Sequence, residues 1–273
     1  MSQKLKQGIN QISNQDYHAD KNYLSSSSFK TILKGPEIFY NEYILGHKPE
    51  ISKSRQANFD EGSYAHTLIL EPEMKDIEYA FFPDWKKAGK DWNEFKEKHG
   101  DKTILSKPQV IRVNELIEMY RNRPEAVELI SGGFPEHTLA GELMGVNCKV
   151  RADYINVDRG YIVDIKTTAR AADIDTFKFT CQDYGYYISA AMYTMMFSDF
   201  YEKEFDFYFL ALSKDKTYNT CELYKISKDT MQYGRNMIIK AINLYKKCKE
   251  TNDWTKHAKP KIETSGTYEI LEI

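Results

Sequence analysis

The stretch VRADYINVDRGYIVDIKTT, residues 150–168, sets Asp153 in the middle of one apolar run and Asp164-x-Lys166 in the middle of the next. Successive side chains of a strand alternate faces, so Asp164 and Lys166 point the same way. A two-residue turn at Arg159-Gly160 pairs 158 with 161, and the same register pairs 155 with 164 and 153 with 166. Asp153 then stands opposite Lys166 and diagonal to Asp164, all on one face, unless a longer loop or a bulge intervenes. Two carboxylates this close stay ionised together only with positive charge between them. A divalent cation supplies it, and hard oxygen ligands completed by water suit Mg²⁺ or Mn²⁺ better than zinc. An ammonium beside such a cation can orient or deprotonate an attacking water, or stabilise charge growing on a phosphate; this is the chemistry of phosphodiester hydrolysis. The bland alternative is a solvated hairpin face on which Arg151, Asp153, Asp164 and Lys166 pair weakly. The bulky residues of YIVDIKTT argue instead for a central strand, where charge without a function is costly to bury.

The elements that must position these groups follow from periodicity and punctuation. Ser25 or Ser26 caps a helix over SSFKTILKG that stops at Gly35, and Pro36 opens a second short helix, PEIFYNEYILG. Residues 59–70, FDEGSYAHTLIL, read as a helix entered through Gly62, and 83–103 as an exposed loop plus a short helix. After Pro108, Val113, Leu116, Ile117 and Tyr120 keep the spacing of an amphipathic helix. The period then changes to that of strands in EHTLAGELMG, NCKVRADYINV, GYIVDIKTT, EFDFYFLALS and TCELYKIS, with a helix from about 180 to 197 between the third and the fourth. A last helix spans about 228–249, capped by Ser227 and burying Met231, Ile238, Ile242 and Tyr245. The reading is an α/β sheet flanked by helices.

Composition narrows the function classes. The chain has 273 residues, 41% of them hydrophobic, enough for a sizeable core. No run approaches the length of a membrane span and MSQKLKQGINQISNQ lacks a secretory apolar core, so a cytoplasmic location is the expectation. Cys148, Cys181, Cys221 and Cys248 form no C-x-x-C pair, which argues against a zinc ribbon or an iron–sulfur cluster. The charge is nearly balanced, 38 basic against 40 acidic residues, so any nucleic-acid contact must be a local patch.

RADYINVDRGYIVDIKTT resembles the PD-(D/E)XK nuclease signature, with Ala152 where proline is common and Asp164 at the D/E position. More narrowly, DIKTT, EGSYAHTLILEPE, YLSSSSFKTILKGPEIFY and YGYYISAAMY are similar to blocks of the phage-type exodeoxyribonuclease VIII (RecE-like) group, relatives of lambda-type exonuclease, in order from about residue 13 to about 245. The resemblance implies a restriction-endonuclease-like fold: a central mixed β-sheet flanked by helices in a single domain over 1–273, with an N-terminal helical part at about 23–46. It implies His66 as a metal ligand on a helix facing the sheet, Asp153 and Asp164 as carboxylate ligands, the Ile165 carbonyl as a further one, and Lys166 as the catalytic lysine. Taken alone, His66 would more often be a helix residue satisfied by a carboxylate. Glu142, on the strand before the hairpin, is another candidate ligand, with an exposed strand glutamate as the alternative.

One departure stands out. Where the group carries Y-x-Y-H-x-Q-A-A-x-Y, this chain has Tyr187 and Ser189 for the His and the Gln. Gln182, two helical turns before Ser189, is a candidate for the catalytic polar role, against an exposed residue near a helix cap. Tyr186, Ala190, Tyr193 and Phe197 read as a core stripe. Ser27, Ser28 and Lys30 at a helix N-terminus are candidates to grip a DNA phosphate, with plain capping as the alternative. Lys86, Lys87 and Lys90, interleaved with Trp85 and Trp92, read as a solvated loop before a DNA contact. The expectation is a Mg²⁺-dependent deoxyribonuclease, with Mn²⁺ able to substitute, acting as a 5′-to-3′ exonuclease on ends of linear double-stranded DNA in phage-type recombination. By resemblance it would form a homo-oligomeric ring and work beside a single-strand annealing protein. The alternatives are an endonuclease of the same fold and a catalytically inactive DNA- or protein-binding module.

Overall fold

The computed structural model describes residues 3–215, 217 and 220–255. The chain opens with a short strand, β1 (Gly8–Asn10), and a short helix, α1 (Asn14–Ala19), capped by Ser13, whose hydroxyl accepts from the Asp16 N–H. In α2 (Ser26–Lys34) the serine run forms a reciprocal cap: the Ser25 N–H donates to Ser28 Oγ and the Ser28 hydroxyl donates to the Ser25 carbonyl. Gly35 ends this helix, and Pro36 begins α3 (Pro36–Phe39), which continues as a π-helical turn over Tyr40–Ile44.

The helix expected over 59–70 starts earlier. α4 (Lys53–Leu70) is capped by Ser52, so Gly62 lies inside it rather than at its entry. There Gly62 lets the helix approach the sheet, since a Cβ at this position would come 3.1 Å from Thr167 Oγ1. Next come α5 (Lys75–Glu78), β2 (Tyr79–Phe82), α6 (Gly89–His99) and β3 (Thr103–Ser106), with β2 and β3 paired in parallel across α6. This small sheet flanks the segment read from sequence as a loop and short helix. α7 (Lys107–Arg121) buries Val113, Leu116, Ile117 and Tyr120 as its spacing predicts, and α8 (Pro124–Leu129) follows.

β4 (Phe134–Leu143), β5 (Val146–Asn156), β6 (Tyr161–Thr168), β7 (Asp206–Ser213) and β8 (Cys221–Lys225) join β1 in one six-stranded sheet, ordered β1-β4-β5-β6-β7-β8. Its neighbours are antiparallel except β6 and β7, which are parallel and therefore need a crossover. The crossover is α9 (Ile174–Asp183) plus α10 (Tyr186–Tyr201); the one helix predicted over this region is two, because Gly185 adopts a left-handed φ of 59° between them. α11 (Lys228–Thr251) starts at Ser227, whose Oγ accepts from the Thr230 N–H. Two apolar cores sandwich the sheet. Phe29, Met192, Phe207 and Ile238 build the one under α2, α10 and α11, while Tyr64, Leu116, Ile165 and Leu210 build the one under α4 and α7. This is a mixed α/β fold with a central sheet flanked by helices. Among the described residues no helix is long and apolar enough to cross a membrane.

Candidate metal centre

The chemistry-bearing residues meet where β5 and β6 part. The β5–β6 turn is longer than the two-residue loop expected: Asn156 pairs with Tyr161, and the Asn156 side chain accepts from the Arg159 N–H to close the turn. This shifts the register by two, so Asp153 is level with Asp164 rather than with Lys166. The ladder ends at Tyr154–Val163, one step short of the two aspartates. In place of the next ladder bond, the Ile165 N–H donates to Asp153 Oδ2 at 2.6 Å. β5 also departs from strict alternation here. Cys148, Val150 and Ala152 face the α10 side, Tyr154 the α4 side, and Ile155 the α10 side again.

The slip has a counterpart on β4. Glu136 lies between the pairs Pro135–Tyr154 and His137–Ala152, hence level with Asp153, and it carries a positive φ of 44°. α4 brings His66 to the same level, with its Nδ1 3.5 Å from Asp153 Oδ2. One ligand atom from each of His66, Glu136 and Asp153 lies within 4.8 Å of the others. Asp164, almost fully buried, accepts from the Lys166 ammonium. The site therefore occupies a notch through the sheet, reached from α4 on one face and from α9 and α10 on the other.

Burial and the mutual charges of its members set the electrostatics of the notch. Burial pushes the Asp153 carboxyl well above the usual range, and the neighbouring Asp164 adds to it; the two share a hydrogen bond. Burial, the largest single influence, would raise Asp164 too, but the charge and hydrogen bond of Lys166, with the Asp153 hydrogen bond and the His66 charge, together hold it low. Lys166 resists its own desolvation because Asp164 and Asp153 keep it cationic. Burial and, next, the Lys166 charge bring His66 down to about 4, so its imidazole is neutral with a free lone pair. Glu136 rises to about 7 through burial, opposed by Arg151, whose Nε is 3.8 Å away. Carboxylate oxygens of Glu136 and Asp153 with one His66 nitrogen form a donor set that fits a divalent cation, and the Ile165 carbonyl accepts a hydrogen bond from the His66 ring.

Residues 25–263 match the family model described as "PDDEXK-like domain of unknown function (DUF3799)". The chain belongs to this family. The crystal structure of a candidate exonuclease from Eubacterium rectale superposes with a TM-score of 0.63 at 18% identity, over 87% of this chain and 88% of that one, a likeness of fold. A second solved structure, SSO0001, matches over 48% of this chain and 66% of its own at 17% identity and a TM-score of 0.30. No curated protein matches the sequence.

Within this PDDEXK-like domain the notch gathers His66, Asp153, Asp164, Ile165 and Lys166, and it leaves other predicted residues outside. Glu142 is exposed near the far end of β4, opposite Asn147 and about 20 Å along the strand from Glu136 at the usual strand rise. Glu136 stands where Glu142 was expected to. Applying the hairpin register to the previous turn would have found it: Leu143 pairs with Val146 across Met144-Gly145, and counting back sets 136 against 153. Gln182 is partly buried on α9 with no side-chain bond to the cluster; its neighbour Cys181 senses the charges of Asp164 and Lys166. Ser28 is spent in the helix cap and Ser27 is exposed, with its carbonyl accepting from the Thr31 hydroxyl. Lys30 does reach the notch: its Nζ is 5.7 Å from the centre of the Tyr186 ring, and burial, then Lys166, brings its pKa down to about 8.

The two departures in the α10 motif take different places. Ser189 is buried and its hydroxyl meets that of Ser26 at 3.1 Å, whereas Tyr187 packs on Tyr233 of α11. Tyr186 and Tyr193, read as core, border the site as well as the core. The Lys166 Nζ lies 5.0 Å from the Tyr186 ring centre, and Tyr193, hydrogen-bonded to Ser26, is pushed up by burial and further by Asp164 and Asp153. No apolar pattern distinguishes such a tyrosine from a buried one.

Proposed function

We propose that the protein is a Mg²⁺-dependent deoxyribonuclease, with Mn²⁺ able to substitute, that hydrolyses phosphodiester bonds as a 5′-to-3′ exonuclease on linear double-stranded DNA. The observation that carries this reading is the convergence of His66, Glu136 and Asp153 within 4.8 Å, beside the Asp164-x-Lys166 pair on β6. A divalent cation bound there supplies a Lewis acid for the phosphate and an acidified water. His66 offers it a neutral nitrogen, Asp153 and Asp164 their carboxylates, and Glu136 a further oxygen. Lys166 stays cationic against Asp164 and is suited to meet negative charge as it grows on the phosphoryl oxygens. Lys30, a second ammonium at the mouth, is suited to hold a flanking phosphate of the strand. A ring of copies around the duplex, passing its product to a single-strand annealing protein, completes the reading.

The test is incubation of the purified protein with 5′-phosphorylated linear duplex and with covalently closed circles, in Mg²⁺ or in EDTA. Mononucleotides from the linear substrate alone, and only with metal, are expected. Nicked circles would replace the exonuclease by an endonuclease, and no cleavage under any divalent metal would leave a binding module.

A further inference from the structure

The junction of α9 and α10 carries a feature that metal chemistry does not use. Tyr184 closes α9, Gly185 turns the chain through its left-handed conformation, and Tyr186 opens α10. The rings of Tyr184 and Tyr186 stack, with centres 5.5 Å apart and planes 17° from parallel. They differ in surroundings. Tyr186 packs inward on Phe177 and Phe209, whereas Tyr184 is 57% exposed and has Tyr186 as its one ring partner among the described residues. At the inner end of the pair, Lys166 Nζ and Lys30 Nζ lie 5.0 and 5.7 Å from the Tyr186 ring centre. The Lys30 stem runs over Gly185, because a Cβ there would sit 3.6 Å from its Cδ and Cε. Lys30 forms no ion pair within 4.0 Å among the described residues, so its charge is available to a ligand.

An exposed ring at one end, two ammonium groups at the other and a carboxylate notch beyond match the shape of one nucleotide: a planar base, then its phosphate. We propose that Tyr184, stacked on Tyr186, is a platform for an unpaired nucleobase next to the phosphodiester being cleaved, with Lys30 holding that nucleotide's phosphate. The proposal rests on the nuclease reading and deepens it, because it says how the strand end is seated. A free aromatic face takes any base, so the subsite is tolerant of sequence and sensitive to the presence of a base. A base leaves its partner strand to reach the platform, so frayed or mismatched ends seat more readily than perfectly paired ones.

The test uses the full chain in EDTA and 5′-phosphorylated DNA bearing an abasic site at each of the terminal positions in turn. Wild-type affinity is expected to fall about 5- to 100-fold at a single abasic position. Tyr184→Ala is expected to bind intact DNA weaker by a similar factor and to lose the position dependence, while Tyr184→Trp keeps both affinity and pattern. Since Tyr184 is exposed, the variants should unfold at the wild-type temperature. Wild-type affinity in Tyr184→Ala, or an undiminished abasic response, would overturn the platform. Cleavage of the same DNA in Mn²⁺ separates the two failures: cleavage and binding that ignore Tyr184 sink the platform alone, whereas neither binding nor cleavage sinks the nuclease reading with it.

Discussion

Replacing Glu136 by glutamine should stabilise the fold in EDTA at pH 8 and weaken metal binding, opposite effects from one atom. Burial raises this carboxyl from its ordinary 4.5 to about 7, so the folded protein holds a proton that the unfolded chain has lost. Between these values the folded state binds more protons, and stability falls as pH rises; below about 4.5 both states are protonated and the effect is absent. At 1.36 kcal/mol per pH unit the carboxylate costs about 3 kcal/mol at pH 8. Its side chain is 29% exposed, and glutamine forfeits the Arg151 contact, together returning about 1 kcal/mol. The net gain is about 2 kcal/mol, or about 4–8 °C in Tm for a chain of this size. Thermal unfolding followed by circular dichroism at pH 8 and pH 4.5 checks the size and the pH dependence. Saturating Mn²⁺ should do the reverse. At a hundredfold excess over Kd a ligand adds about 2.7 kcal/mol to the wild type, and the variant, one ligand short, should gain less at the same concentration. A Glu136→Gln protein that is less stable than wild type at pH 8 in EDTA, or whose gain persists at pH 4.5, would refute the account of Glu136 as a desolvated carboxyl awaiting a cation.

Other changes separate the parts of the site and of the fold. On the proposed placing of Lys166 at the phosphate, Lys166→Met should cut cleavage by about 100-fold or more while Mn²⁺ still raises Tm. Glu142→Gln should leave both cleavage and the Mn²⁺-induced Tm shift at wild-type values, whereas Glu136→Gln changes the shift. Gly234→Ala should destabilise by about 1–3 kcal/mol in urea unfolding, since its Cβ would fall 2.4 Å from the Tyr187 carbonyl oxygen and force α10 and α11 apart. Ser28→Ala should cost about 1 kcal/mol through the lost α2 cap and leave DNA affinity unchanged, separating capping from phosphate binding.

What the sequence makes legible here is what local rules control. The serine cap of α2, the proline that opens α3, the apolar stripe of α7 and the Ser227 start of α11 all depend on groups within a few residues of one another, and each lies where its pattern predicts. The misses share a different cause. β1 is three residues long and exists only because β4 offers it an edge. β2 and β3 pair in parallel across α6, a contact that no local period announces. The break at Gly185 hides in a run of aromatics that reads as one helix, and only the left-handed turn reveals two.

The site tests the parity argument more severely, because it is built from the failure of the regular sheet. A continuous β5–β6 ladder would carry Asp153 and Asp164 past each other as an ordinary cross-strand pair, about 5 Å apart with their charges unrelieved. Instead three departures fall on one level of the sheet: the positive φ at Glu136, the slip at Asp153 and the end of pairing at Tyr154–Val163. Each costs backbone hydrogen bonding or torsional ease. The Asp153 carboxylate recovers part of this by accepting the Ile165 N–H that the ladder has abandoned. That same bond aims Asp153 sideways into the notch, toward His66 on one face and Asp164 on the other, so the group that repairs the sheet also assembles the centre. Glu136 escaped detection for the same reason: its role follows from being level with Asp153 across two strands, a relation held in register and not in the spacing of letters. Regularity positions the scaffold, and the point where regularity yields is where a cation and a phosphate can be admitted.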